Sequence, residues 1–233
     1  MSPISRAASS RRRISTRRLP TSVSPPEVSR LERLVGQLRE FYGLLPTPPS
    51  DPFQLFVWEI LSHQSTPQQR NSAITSLKRN LALTPDSMSK VAPKKLEESV
   101  KLTGSYVEQR LRALRTAIAI FQRHPDLPAA IKGPVPEAQQ ALSTLPQMSD
   151  GGADRMLLFA GDHLVFPLDD GVGRVVRRLG YDDPPESERS ENLDDYRRAC
   201  TYLTHHAVAT CSDKDPHCTV CPLLTDCPYG QSR

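Results

Sequence analysis

From Pro25 onward the apolar residues recur at steps of three and four. Val28, Leu31, Leu34, Val35, Leu38, Phe41 and Tyr42 form one stripe, which predicts an amphipathic helix with a single buried face. The next segment differs. Asp51-Pro52 supplies a cap and a first-turn proline, and Phe53, Leu55, Phe56, Val57, Trp58, Ile60 and Leu61 make the helix that follows apolar nearly all round. Such a helix belongs in the core. Thr66-Pro67 and Thr84-Pro85 repeat the start signal, and Val107, Leu111, Leu114, Ile118 and Phe121 mark another amphipathic helix after Gly104. Further helices are predicted over 137–145, 153–160, 171–180 and 192–210. No run alternates convincingly with the two-residue period of a strand. The chain is therefore predicted to be all-α, with its only extended piece around Leu164 to Leu168.

One charge interrupts the buried helix. Glu59 lies between Trp58 and Ile60, and a carboxylate set in an apolar wall holds its proton more tightly, which suits a general acid. The competing reading has Glu59 point to a polar seam and pair with an arginine. The residues alone weigh the two equally.

Composition adds limits. At 233 residues, 37% hydrophobic and without a long apolar segment, the chain fits one compact body or two small lobes and no membrane span. The formal charge is +4, but six arginines and no acid fall in residues 1 to 20, so the remainder carries about −2. Residues 1–26, rich in Arg, Ser and Pro, cannot bury enough apolar surface to fold and are expected to be a disordered tail. The tail fits a phosphate-binding arm, an organelle transit peptide or a plain solubilising extension. The acidic run from Asp182 to Asp195 reads as a solvated loop and helix start.

The C-terminal stretch carries the clearest chemistry. Cys211, Cys218, Cys221 and Cys227 follow one another with six, two and five residues between them. Soft thiolates at such spacing favour an iron-sulfur cluster or zinc. Zinc sites of four cysteines usually show two short pairs, and here only Cys218 and Cys221 form one, which ranks zinc second. Cys200 falls outside the pattern and reads as a buried apolar residue.

The order of these cysteines, closed by Cys227-Pro228-Tyr229, resembles the C-terminal loop of the endonuclease III family of DNA glycosylases, where it holds a [4Fe-4S] cluster. Trp58-Glu59-Ile60-Leu61-Ser62-His63-Gln64 is similar to a helix of the adenine and thymine mismatch branch. The resemblance makes Glu59 the acid that protonates the departing base and Gln64 a residue that enters the duplex. Leu145 to Gly180 resembles the helix-hairpin-helix motif followed by the superfamily's essential aspartate, here Asp169, which would stabilise the sugar cation or activate water. On base rates an Asp at a helix start is only an N-cap, and both roles fit together.

The same register shows departures. The lysine that gives the bifunctional branch its lyase activity is replaced by Gly151, and no lysine lies between Lys132 and Lys214. The Gly-apolar-Gly hairpin reads Gln147-Met148-Ser149, with Asp150 beside it. The DNA-binding set implied by the resemblance is Gln64, Met148, Ser149, Gly151 and Gly152, with Arg174, Arg177 and Arg178 or the tail compensating for the degraded hairpin.

The expectation is an all-α protein of two helical lobes, with a helical core over 27–210, its hairpin at about 137–160, and a cluster loop over 211–233. It would be a monomeric, monofunctional DNA repair glycosylase acting on double-stranded DNA with a damaged or mismatched base. A catalytically silent iron-sulfur DNA-binding protein on the same fold is the alternative. The implied setting is cytoplasmic and nucleoid-associated, or an organelle or nucleus in a eukaryotic source. The chain ends six residues after Cys227, short of the extra C-terminal domain of the adenine mismatch enzymes, which weighs against adenine opposite oxidised guanine. Uracil or thymine opposite guanine, oxidised pyrimidines and alkylated bases stay open.

Overall fold

The computed structural model describes residues 29–79, 82–181 and 192–233. The N-terminal tail and most of the acidic run after Tyr181 lie outside the described residues. Among those described there are twelve α-helices and no strand. The extended piece at 164–168 pairs with nothing in a sheet.

The proline-marked starts hold. Asp51 caps α2 (Pro52–Ser62) by accepting from the Gln54 amide at 2.8 Å. Thr66 and Gln69 form a reciprocal capping box at the head of α3 (Pro67–Lys78), and Thr84 caps α4 (Pro85–Ser89). These side chains satisfy amides that a helix start leaves without partners. α1 (Arg30–Tyr42), α6 (Val107–Arg123) and α11 (Leu193–Ala209) match their stripes.

Other boundaries move for local reasons. α8 (Val135–Leu142) starts at a proline-containing first turn. α9 (Asp150–Phe159) begins three residues earlier than expected, because the Ser149 side chain accepts from the Gly152 amide. α10 (Asp170–Arg178) starts directly behind its cap, Asp169. α5 (Pro93–Lys101), α7 (Leu127–Ile131) and α12 (Pro228–Gln231) were not foreseen. Each carries a proline in its first turn and is too short or too polar to show a period.

Two apolar cores divide the molecule. The larger is built from α2 to α9, with Phe53, Phe56, Leu114, Met156 and Phe159 among its most buried side chains. The smaller joins α1 to α10, α11 and the C-terminal loop through Leu34, Leu38, Val172, Val176, Leu203 and Leu223. The chain thus leaves the second lobe after α1, builds the first, and returns at α10. Cys200 of α11 reaches into the first core at 1% exposure. Burial pushes its thiol up to about 12, so it behaves as an apolar residue, as expected. Arg197 of the same helix donates to the carbonyls of Leu158 and Phe159 at 3.2 and 3.3 Å, capping the end of α9.

One buried cation shapes the surface beside the cleft. Arg110, 1% exposed, donates to Thr103 Oγ1 at 2.6 Å, to Ser65 Oγ at 2.8 Å, and to the carbonyls of Ser105 and His63. It ties the turn after α2, which carries Gln64, to the loop before α6. Burial lowers its pKa. Arg110→Met fills a similar volume but leaves those carbonyls without a donor, so a loss of about 2–4 kcal/mol is expected. Urea unfolding measures it, and faster amide exchange at Ser65 would show that the turn has been released.

Candidate functional site

Three charged side chains meet where the lobes face each other. Glu59 projects from α2 and Arg155 from α9, both in the first lobe, while Asp169 caps α10 in the second. The Asp169 position follows from its backbone, φ −75° and ψ 172°, which turns Oδ1 onto the Val172 amide at 2.8 Å. Arg155 grips Glu59 at two points, Nε to Oε1 at 2.7 Å and Nη2 to Oε2 at 2.8 Å. Its remaining Nη1 donates to Asp169 Oδ2 at 2.5 Å. Burial by itself drives a guanidinium pKa down, but the charge and hydrogen bonds of Glu59 outweigh it and raise that of Arg155. Arg155 is therefore a fixed cation.

This geometry decides between the two readings of Glu59 in the resting protein: it pairs with an arginine. Both of its oxygens accept from Arg155. The side chains of Glu59 and Arg155 are 10% and 11% exposed, against 27% for Asp169. Asp169 is thus the carboxylate more open to a substrate.

The triad lies in a cleft of about 610 Å³ whose walls include Trp58, His63, Arg70, Met148 and His205. The Arg70 guanidinium sits 4.4 Å from the centre of the Trp58 ring. Burial lowers its pKa, and Glu59 opposes the shift. Met148, Ser149 and Gly152 also line the cleft. Gly151 is buried behind it: a Cβ there would stand 2.7 Å from Asp169 Cβ and 3.0 Å from its Cα. Gln64 is exposed, outside the cleft wall, with a left-handed φ of 49°.

The hairpin turn survives without its glycine. Gln147 takes the left-handed conformation, φ 59°, and its side chain donates to the Gln109 carbonyl at 3.1 Å. Arg174 and Arg178 direct donors to backbone carbonyls. Arg174 donates to the carbonyls of Ala207 and Cys211, and Arg178 to those of Ser212 and Asp213. Both hold the cysteine loop. Arg177 is exposed.

All four loop cysteines are free thiols and line one small cavity with His206. Cys211 Sγ accepts from Arg178 at 3.3 Å and Cys227 Sγ from the Gly230 amide at 3.4 Å. His206 Nε2 lies 3.7 Å from Cys221 Sγ, and its Nδ1 meets the Tyr42 hydroxyl at 2.8 Å. Burial raises Cys221 to about 11 and lowers His206 to about 4. Among the described residues no three His, Cys, Asp or Glu side chains converge on the point a single ion would occupy. The thiols surround a space instead.

No family model matches the chain. Endonuclease III of Escherichia coli K12 is 25% identical over 189 residues, covering 78% of this chain and 86% of the relative. That of Bacillus subtilis 168 is 26% identical over 193 residues, covering 79% and 84%. A non-covalent endonuclease III–DNA complex superposes with a TM-score of 0.64 at 22% identity, over 86% of this chain and 94% of that one. A thermostable thymine-DNA glycosylase gives 0.58 at 16%, over 87% and 97%. The fold is that of the endonuclease III-like DNA glycosylase superfamily.

Within this endonuclease III-like frame, Arg155 is the residue the sequence reading missed. It fell inside a predicted helix, and its signal was a charge opening the apolar run Met156-Leu157-Leu158-Phe159. Two stability measurements probe the arrangement. Arg155→Met leaves two carboxylates unpaired and should cost about 3–5 kcal/mol; adding Glu59→Gln should recover a large part of it in urea unfolding. Gln147→Gly removes a left-handed side-chain conformation and should stabilise by about 1 kcal/mol, read as a higher Tm.

Proposed function

We propose that the chain is a monofunctional DNA glycosylase that hydrolyses the N-glycosidic bond of a base flipped into the inter-lobe cleft. The observation that carries this reading is Asp169, a carboxylate fixed by a helix start and by Arg155 yet partly exposed in a cleft with room for a flipped base. Cleavage builds positive charge on the deoxyribose, and a carboxylate that needs no reorganisation stabilises it. Flipping costs a few kcal/mol, about the least at a mismatched or damaged base. Glu59 lies beside Asp169 in the cleft, held by the same guanidinium, and proton donation to the base would require the Arg155 grip to open.

The absence of lyase chemistry is supported by Gly151. Any side chain at that position meets the Asp169 backbone within about 3 Å, so a nucleophilic lysine has no room there. The cavity of free thiols suits a [4Fe-4S] cluster held by Cys211, Cys218, Cys221 and Cys227. When bound, the cluster supplies a covalent brace and a redox-active centre. This chain's residues contribute hydrogen bonds to two of the sulfurs and the anchoring of the loop by Arg174 and Arg178. The partner is double-stranded DNA with a damaged or mismatched base, bound by a monomer. Among the described residues no helix is long and apolar enough to cross a membrane.

A specific observation favours the second reading, a silent iron-sulfur DNA-binding protein. Arg155 holds both carboxylates, and the hairpin has lost its glycines. Base release from duplexes carrying single lesions or mismatches, each assayed with and without hot alkali, separates the two. Strand breaks only after alkali, lowered by about 10² to 10³ in Asp169→Asn, are expected. Gly151→Lys should give no alkali-independent breaks. Binding without release by the cluster-loaded protein would favour the silent reading.

A further inference from the structure

Away from the cleft, a chain of hydrogen bonds joins α1 to the cysteine loop by way of α11. The Tyr42 hydroxyl, on the last residue of α1, lies 2.6 Å from Thr210 Oγ1 and 2.8 Å from His206 Nδ1. The other ring nitrogen of His206, Nε2, lies 3.7 Å from Cys221 Sγ. His206 and Thr210 are 2% and 6% exposed and stand one turn apart at the end of α11. The Tyr42 ring meets Phe41 and His205 edge to face, with centroids 5.0 and 4.7 Å away, which fixes the plane of the phenol. None of these groups has a part in breaking the glycosidic bond.

A neutral imidazole admits two arrangements of the polar hydrogens. In one, His206 carries its proton on Nδ1 and donates it to the phenol oxygen, and the phenol donates to Thr210. The hydroxyl hydrogen of buried Thr210, whose hydrogen-bond partner among the described residues is Tyr42, then has no acceptor, and the Nε2 lone pair faces Cys221. A cysteine that ligates iron is a thiolate, so that lone pair would meet a negative sulfur. In the other arrangement Thr210 donates to Tyr42, Tyr42 donates to Nδ1, and the Nε2–H points at Cys221 Sγ. Every buried polar hydrogen is then used, as interiors require. The second arrangement is the one that the contacts select.

We propose that His206, locked as its Nε2–H tautomer by Tyr42 and Thr210, donates a hydrogen bond to the Cys221 sulfur of an iron-sulfur cluster and raises the reduction potential of that centre. The inference rests on the cluster reading of the cysteine cavity and adds to it a side chain that tunes the centre. A hydrogen bond to a ligand sulfur strengthens as negative charge collects there, so it favours the reduced form. Arg178 and the Gly230 amide donate to Cys211 and Cys227 from α10 and α12. His206 differs from both, because the place of its single N–H is imposed by a phenol 164 positions earlier in the chain. Tyr42 and Thr210 are positioning residues that act on the sulfur through the imidazole.

The test uses the full chain, reconstituted anaerobically and checked for iron and sulfide content. The reduction potential is read by voltammetry, and the iron–sulfur stretching bands by resonance Raman in light and heavy water. His206→Leu removes the donor and is expected to shift the one-electron couple toward the oxidised form by about tenfold, which is about 59 mV lower. It should also shrink the band shift that heavy water causes. His206→Gln, whose amide nitrogen takes the place of Nε2, should restore most of the potential. Tyr42→Phe keeps the imidazole but frees its tautomer, and should give a smaller shift of the same sign. Equal potentials in wild type, His206→Leu and Tyr42→Phe, at full iron and sulfide, would overturn the inference and leave the cluster reading intact. So would a His206→Gln protein that behaves as His206→Leu. Should His206→Leu fail to hold a cluster, Tyr42→Phe decides: an unchanged potential and heavy-water shift there overturn the inference. Wild-type protein that takes up zinc but no iron and sulfide would overturn the cluster reading, and the inference with it.

Discussion

The contact on which the site depends is the guanidinium of Arg155 held between Glu59 and Asp169. Glu59 and Arg155 belong to helices of one core, and Asp169 begins the first helix of the other. The hydrogen bond from Arg155 to Asp169 thus sets how the lobes meet at the base of the cleft. A buried ion pair adds little net stability, because removing charges from water costs about as much as their attraction returns. Its consequence is registration. Breaking one partner leaves uncompensated charge in the interior, so only one relative placement of α2, α9 and α10 is favoured. Gly151 makes that placement attainable by letting α9 pass within van der Waals reach of the Asp169 backbone.

Further arginine contacts brace the elements around this junction. Arg110 fastens the turn bearing Gln64, and Arg197 fastens the end of α9. α10 couples two regions with one rigid element: its cap is Asp169, and its arginines, Arg174 and Arg178, hold the loop that bears the cysteines. Loss of that loop would therefore be felt at the cleft through α10. Left-handed backbone at Gln64 and Gln147 falls on the two turns expected to face DNA. Strain of this kind persists where surrounding structure over-determines it, as the Gln109 carbonyl does for Gln147.

Much of this was legible in the residues themselves. Helix starts marked by Asp51-Pro52, Thr66-Pro67 and Thr84-Pro85 were readable because capping is a local interaction, decided within three residues. The stripe of α6 was readable because one face is buried along seventeen residues. The spacing of the four cysteines pointed to one shared place, and they do line one cavity; Asp169 announced its helix by chemistry that any N-cap uses. α5 and α7 were missed because nine and five residues carry too little period. Arg155 was missed for a different reason. Which arginine answers Glu59 is fixed by tertiary packing across 96 positions of chain, and nothing local distinguishes Arg155 from an exposed arginine except the apolar run it opens.

The central claim is that Arg155 keeps Glu59 occupied while Asp169 meets the sugar. A crystal structure of the protein on a duplex with an uncleavable 2′-fluorinated nucleotide at a mismatch tests it most directly. The account predicts a flipped base in the inter-lobe cleft, C1′ beside the free lone pairs of Asp169, and the two-point contact between Arg155 and Glu59 intact. A duplex bound with its base still stacked, or a flipped base hydrogen-bonded to a Glu59 that has left Arg155, would contradict it.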